Sequence, residues 1–512
     1  MHYPNPIIPG FHPDPSMCRV GDDYYLVTSS FEFFPGVPVF HSTDLIQWHL
    51  IGHCLTRPEQ LNLIGAPSSK GIYAPTIRHH QGRFYMVTTD TSGIKNFFVH
   101  ADNPAGPWSD PILVDQAGID PSLLFDDDGT VYFTSNACEG HTGSGLFQNE
   151  IDIATGTLTH PTARRIWTGT GGCALEAPHL YHIGDWYYII AAEGGTEYTH
   201  MITIGRSRSP YGPFESCPHN PILTHAAKGS PDIQSTGHGD LIEDAHGQWW
   251  IVFLGVRPSQ YPFMHHLGRE TFIAPVEWVD DWPVVNQGQV ITTSMQVERA
   301  GPRHRTVAAD RKQHDDFAQP SLGLDWNFRR NPAAHSWSLS TPSGALSLRC
   351  LPATLASIDQ VAWVGRRQQH FACIIETEIN FDPEEDEQAG LSVLMNENYH
   401  TVMVIVRSTT GRDLILRRHV GSLVTETARE RLPEGPIRLR IDADKHLYRF
   451  SYGDTTTSAM HELGVAETSH HATELAGGFT GVYFGLYASA NGATSSNQAR
   501  FAWCEYTPHE AT

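Results

Sequence analysis

A short phrase recurs five times between residues 14 and 252, and it constrains the fold more than any other feature of the chain. The first copy reads Asp14-Pro15-Ser16, then Gly21-Asp22-Asp23 and the apolar run 24–27. It returns as Ala74-Pro75-Thr76 with Gln81-Gly82-Arg83, and as Asp120-Pro121-Ser122 with Asp127-Asp128-Gly129. The fourth copy is Ala177-Pro178-His179 with Gly184-Asp185, and the fifth is Gly239-Asp240-Leu241 with His246-Gly247-Gln248. Steps of 60, 46, 57 and 62 residues separate these anchors. Each copy is strand, tight Gly/Asp turn, aromatic-rich strand. One hairpin cannot bury its own apolar face, whereas units repeated around an axis bury one another's. The repeat therefore predicts an all-β chain whose residues 1–301 form a five-bladed β-propeller. The strand starts converge on one end of a central channel, where the pattern gathers Asp14, Asp120 and, one position before its anchor, Glu176. Tyr73 and His238 hold the same pre-anchor position in the second and fifth copies.

The repeat has ended by residue 301. Residues 302–316, rich in Arg, His, Asp and Lys, read as a linker. From 317 to 512 the pattern changes to alternating strands at 346–348, 371–379, 389–395, 401–406, 414–418, 437–441, 447–452 and 482–488. With short polar turns between them, these predict an antiparallel β-sandwich. In the first half, residues 4–10 read as an extended segment that lies near the channel end or helps close the ring. Residues 31–36, Phe-Glu-Phe-Phe-Pro-Gly, read as a rim loop presenting an aromatic side chain. Residues 126–129, Asp-Asp-Asp-Gly, read as a hairpin turn, since they lack the alternating oxygen ligands and distal Glu of a calcium-binding loop. The paired glycines of 192–196 point to backbone passing close to the site.

The chain of 512 residues carries 34 basic and 56 acidic residues, a formal charge of -22. That balance repels phosphate backbones and anionic bilayers, so neither nucleic acid nor membrane is an expected partner. Eight scattered cysteines form no CxxC pair, and the N-terminal residues do not read as a secretory signal. A reduced, cytoplasmic protein is the expectation.

Carboxylates packed together raise the pKa of at least one of them, which suits chemistry needing one proton donor and one acceptor. Cleavage of a glycosidic bond needs such a pair. Glu176 has the longer reach and apolar flanks in Leu175, Ala177 and Pro178, so it is the expected acid. Asp14 is the expected base, and Asp120 a third charge that tunes Glu176. Arg269 would neutralise part of the cluster or hold a sugar hydroxyl. His238 would bind a central ion, directly or through water, or hydrogen-bond a carboxylate. The twelve Trp, eighteen Tyr and twenty-three Phe offer ring faces that suit sugars.

Several of these stretches resemble glycoside hydrolase family 43. They are residues 10–16 around Asp14, 118–122 around Asp120 and 175–180 around Glu176, together with Phe33-Phe34-Pro35-Gly36, Gly71-Ile72-Tyr73-Ala74-Pro75 and Leu267-Gly268-Arg269-Glu270-Thr271. The closest branch holds β-xylosidases and α-L-arabinofuranosidases with a C-terminal sandwich. The resemblance implies hydrolysis with inversion, with the general base at Asp14, the pKa-modulating carboxylate at Asp120 and the general acid at Glu176. It further implies an arginine at the sugar hydroxyls (Arg269), a hydrophobic subsite wall (Phe31) and a channel histidine associated with hydrated Ca2+ (His238). Members of the branch often carry Trp where this chain has Tyr73. A sandwich loop at residues 477–481, carrying Phe479, is expected to reach the pocket edge. No cofactor is required for such chemistry. The expected activity is exo-acting release of terminal xylose or L-arabinofuranose from short xylo- or arabino-oligosaccharides, by a homodimer or homotetramer. The alternatives are a carbohydrate-binding protein with an inactive propeller and an arabinan-specific α-L-arabinofuranosidase.

Overall fold

The computed structural model describes residues 2–136, 145–226, 228–230, 232–297, 312–340 and 344–509. Cys138, most of the expected linker (302–311) and the outermost residues of both expected domains lie outside the described residues. Each repeat folds as one antiparallel blade. Blade one comprises Ser16–Val20, Asp23–Val27, Gly36–Ser42 and His49–Leu55, and blade two Thr76–His80, Arg83–Asp90, Lys95–Ala101 and Ile112–Leu113. Blade three runs from Ser122–Phe125 through Val131–Asn136 and Leu146–Asp152, blade four from Glu176–Ile183 through Trp186–Glu193 and Met201–Ser207. Blade five comprises Gln234–Glu243, Trp249–Val256, Glu270–Val279 and Trp282–Val285. The first strands touch in the cyclic order one, two, three, four, five, one, which closes the ring around a channel.

The repeated turns do what their composition predicts. His80 pairs with Arg83 across a two-residue turn in which Gln81 (φ 49°) and Gly82 (φ 82°) are both left-handed. That geometry matches the twist of the flanking strands and favours Gly at the second position. The N-terminal segment closes the ring. His2–Pro4 pairs with Ser294–Gln296, and Asn5 exchanges two hydrogen bonds with the backbone of Ile273 in blade five, at 2.9 and 3.1 Å.

The second half is a sandwich of two eight-stranded antiparallel sheets. In the outer sheet Ile437–Ala443 alternates buried and half-buried residues, as a strand with one solvated face should. In the inner sheet Gln388–Asn396 and Tyr483–Ser489 are buried throughout, because the second face packs on the propeller. One buried cluster mixes Phe11, Phe31 and Phe33 of the propeller with Trp363, Val404, Tyr483 and Tyr487 of the sandwich. Residues 31–36 are more than the rim loop expected from sequence. Phe33–Phe34 forms a short strand that pairs with Asn327–Arg329 and becomes the last strand of the inner sheet. Two phenylalanines suit a strand buried between two layers better than a solvated loop, and Phe33 stacks on Tyr483 at 4.0 Å.

Candidate active site

The backbone aims the site residues before their side chains are considered. In blade four Glu176 pairs with Ala192 and His179 with Ile190, so three steps on the inner strand face two on its neighbour. In blade five Gly237 pairs with Leu254 and Asp240 with Val252, the same bulge. Such a bulge bends a strand and re-aims a side chain. Ala177 and His238 sit within it, and Asp14 and Asp120 hold the same place two residues before the paired Ser16 and Ser122; the four share left-handed φ of 53°, 50°, 56° and 54°. Left-handed backbone is costly for residues other than glycine and collects at functional sites. This register corrects one expectation. His238 is equivalent to Ala177, Asp14 and Asp120, not to Glu176, because each stands two residues before a paired residue of its inner strand, Asp240, His179, Ser16 and Ser122 respectively. The pre-anchor position of blade five belongs to Gly237.

The three carboxylates share one buried mouth of the channel, and their surroundings differ. Asp14 accepts a 2.5 Å hydrogen bond from Ser29 Oγ and a 2.9 Å bond from Arg269 Nη1, with His238 Nδ1 at 3.5 Å. Burial alone would raise its pKa, but Arg269, His238, Ser29 and His200 together outweigh burial and hold the carboxyl below its ordinary range. Glu176 lacks such support. Burial first, then the charge of Asp14, pushes it up to about 7, with Arg269 opposing. Asp120 is buried, accepts one hydrogen bond from Ala177 N–H at 3.2 Å, and is raised well above the carboxylate range by burial, Glu176 and Asp14. Two carboxyls of the cluster are thus raised and one is lowered. Desolvation decides the difference, and sequence does not report it.

Arg269 joins the carboxylates to an aromatic wall. Its Nη1 also donates to Thr196 Oγ1 at 3.1 Å and its Nη2 to Phe479 O at 3.5 Å, while its guanidinium lies 5.6 Å from the ring centres of both Phe31 and Phe479. Phe31, Tyr73 and Phe479 contact one another with ring centres 5.2 to 6.3 Å apart. Phe31 is buried, whereas Phe479 remains 38% exposed. All seven residues singled out for base, acid, third carboxylate and sugar contacts thus surround one site, and the sandwich contributes one of them. Thr196, which follows the paired glycines, reaches Arg269 through its side-chain Oγ1.

A family model described as "Glycosyl hydrolases family 43" matches residues 3–283, and a second, described as a β-xylosidase C-terminal concanavalin A-like domain, matches 314–507. The chain belongs to glycosyl hydrolase family 43. It is 43% identical over 509 residues to a non-reducing end α-L-arabinofuranosidase of Bacteroides ovatus, covering 98% of this chain and 94% of that protein. It is 37% identical over 523 residues to a xylosidase/arabinosidase of Butyrivibrio fibrisolvens, covering 98% of each. A solved structure described as Bacteroides ovatus xyloglucan PUL GH43B superposes with a TM-score of 0.93 at 42% identity, over 99% of this chain and 100% of that one. A xylan β-1,4-xylosidase from Bacillus halodurans gives 0.90 at 33% identity, over 99% and 100%. The protein is accordingly a family 43 glycosidase with the branch's C-terminal sandwich.

This family 43 chain also uses residues that sequence reading passed over. Ser29 has no motif of its own, and a serine two residues beyond the strand Asp23–Val27 carries no signal of contact with Asp14. His200 is buried, with its pKa depressed to about 3 by burial, and its Nδ1 pairs with Ser235 O at 3.0 Å. Its ring presses on Gly237, where an added Cβ would lie 2.3 Å from three ring atoms. Below the mouth, Asp240 accepts from Arg78 at 2.8 and 3.1 Å, from Tyr181 at 2.6 Å and from Ser16 at 2.6 Å.

The surroundings of His238 do not fit a direct calcium cage. Ca2+ takes six to eight oxygen ligands, but the neighbouring carboxylate Asp14 is engaged by Arg269 and Ser29. Among the described residues no further His, Cys or carboxylate atom completes a ligating group there. Asp126, Asp127 and His182 do bring three candidate ligand atoms within 4.8 Å of one another, so a structural metal could sit at that turn of blade three. Asp126 is already bonded to His182 and to Tyr187 OH, each at 2.7 Å. Residues 126–129 form the hairpin turn expected, closed by Asp126 N–H to Thr130 O at 2.9 Å. No helix among the described residues is long and apolar enough to cross a membrane.

Proposed function

We propose that this family 43 glycosidase removes single terminal xylose or L-arabinofuranose residues from short xylo- or arabino-oligosaccharides with inversion at the anomeric carbon. Asp14 is the general base, Glu176 the general acid and Asp120 the group that modulates Glu176. One observation carries this reading: two carboxyls in one pocket are biased oppositely, Asp14 towards its charge and Glu176 towards its proton up to about pH 7. Inversion needs one carboxylate to take a proton from water while another protonates the leaving oxygen. Residues 1–301 carry the chemistry, and the sandwich, 317–512, supplies Phe479. Arg269 holds sugar hydroxyls, and Phe31, Tyr73 and Phe479 pack on the ring.

The two relatives described above, an arabinofuranosidase and a xylosidase/arabinosidase, support the two pentoses. Seven unpaired cysteines among the described residues support a reducing, cytoplasmic setting. The reaction uses no metal, and a structural Ca2+ would meet His238 only through water. Assembly as a homodimer or homotetramer belongs to the same reading and is checked by light scattering. The deciding assay is turnover of 4-nitrophenyl β-xylopyranoside and α-L-arabinofuranoside, with the first-formed anomer followed by NMR. Release of the inverted anomer is expected. Binding of oligosaccharides without release would replace this reading with the inactive-propeller alternative, and retention would reassign Asp14 as a nucleophile.

A further inference from the structure

Ser69 lies outside the carboxylate cluster, yet the aromatic wall converges on it. Its side-chain Oγ accepts from Phe479 N–H at 2.8 Å, and its carbonyl accepts from Tyr73 OH at 3.2 Å. Its own N–H donates to Glu32 Oε2 at 2.9 Å. Three atoms of one buried residue thus hold a sandwich loop, a propeller ring and a buried carboxylate. The backbone is left-handed at Ser69 (φ 63°), an arrangement that persists only where surrounding contacts enforce it. The loop approaches so closely that a Cβ on Gly478 would lie 2.5 Å from Ser69 Oγ, and Gly478 itself has φ 85°. Glycine is what permits this contact. The preceding residue is tied to the sandwich as well: Ser68 Oγ donates to Glu397, which also accepts from Arg329 at 2.7 Å.

We infer that Ser69 is a positioning residue, a latch that holds Phe479 and Tyr73 against Phe31 and so makes one sugar-binding wall from two domains. Resting on the function proposed above, the latch governs how tightly the terminal sugar is held and leaves proton transfer to Asp14 and Glu176, none of whose hydrogen bonds it makes. The loss of a positioning bond loosens a wall shared by ground and transition states, which appears in KM before kcat.

The test is Ser69→Gly, which removes Oγ while accepting the left-handed backbone, compared with the parent full-length chain. KM for 4-nitrophenyl pentosides should rise roughly five- to tenfold with kcat within about twofold. Amide hydrogen exchange, read without substrate, should quicken roughly tenfold or more at Phe479 while strands 388–396 and 437–443 are unchanged. A variant with unaltered exchange at Phe479 overturns the latch whatever the activity, and a fall in kcat at constant KM overturns its assignment to binding. If the parent chain releases no pentose, the function proposed above fails on its own, and the exchange measurement still decides Ser69. Exchange quickened throughout the sandwich would mean that Ser69 supports the fold and would also overturn the proposal.

Discussion

Two layers of the same channel, two residues apart along each inner strand, treat carboxylates in opposite ways. In the lower layer Asp240 is enclosed by Arg78, Tyr181 and Ser16, with His179 beside Arg78 at 3.1 Å. Burial would raise its pKa, but Arg78, His179 and these hydrogen bonds drive it far below the carboxylate range. A charge so fully matched has no reason to exchange a proton, and it joins blades one, two, four and five. In the upper layer Asp14, Asp120 and Glu176 share essentially one cation, Arg269. There the donors satisfy Asp14, and burial with few donors raises Glu176 and Asp120. The blades supply equivalent positions in both layers, so chemistry follows from the number of donors per carboxylate and not from the fold.

Removal of the upper-layer carboxylates one at a time should have the largest effects. Asp14→Ala should lower turnover roughly a thousandfold or more on every substrate, because water loses its base. Glu176→Ala should cost about as much on natural oligosaccharides but only about tenfold on 4-nitrophenyl glycosides, whose leaving group needs little protonation. Steady-state kinetics on both substrate classes check this, and equal losses throughout would erase the distinction between the two residues.

A second contrast concerns stability. Asp240→Asn should destabilise the propeller by roughly 3–5 kcal/mol in urea unfolding, since it leaves Arg78 buried without a counter-charge. Asp120→Asn removes a carboxyl that accepts a single backbone hydrogen bond and leaves no paired cation behind, so stability should stay within about 1 kcal/mol while activity falls. Equal destabilisation by the two would mean that the layers do not differ.

The pH profile sharpens the same point. The acid must keep its proton, so kcat/KM should fall as pH rises through about 7. The base must stay ionised, and its depressed pKa places the acidic limb below the ordinary carboxylate range. Glu176→Gln should remove the alkaline limb from the residual activity on aryl glycosides. A smaller loss of stability than that of Asp240→Asn is expected at Gly237→Ala, whose new methyl group must displace the His200 ring. A loss of about 1–3 kcal/mol in thermal unfolding, with weakened activity, would tie the His200 contact to the bulge that carries His238.

Much of this was legible because hairpins are local. The Gly/Asp turns, the anchor spacing and the alternation beyond residue 317 are written in short stretches, and so are the positions of Asp14, Asp120, Glu176 and Arg269. Strand Leu423–Leu432 was missed because its exposed, charged residues give no apolar alternation. The short strand at Phe33–Phe34 was read as a loop because its partner is distant in the chain and pairing across domains leaves no local periodicity. The one-residue shift at His238 escaped for a related reason: a bulge is a property of two strands, and one strand's sequence does not report it.

Sequence alone determined that this chain builds five blades and a sandwich, and which acidic residues the blades bring to one rim, because repeated hairpins have one economical closed arrangement. Tertiary structure alone decided which of those acids keeps its proton, which histidine stands level with them, and that a serine of the propeller grips a loop of the sandwich. Those outcomes depend on desolvation, on how many donors reach each oxygen and on contacts between distant segments, none of which is carried by a residue and its neighbours in the chain.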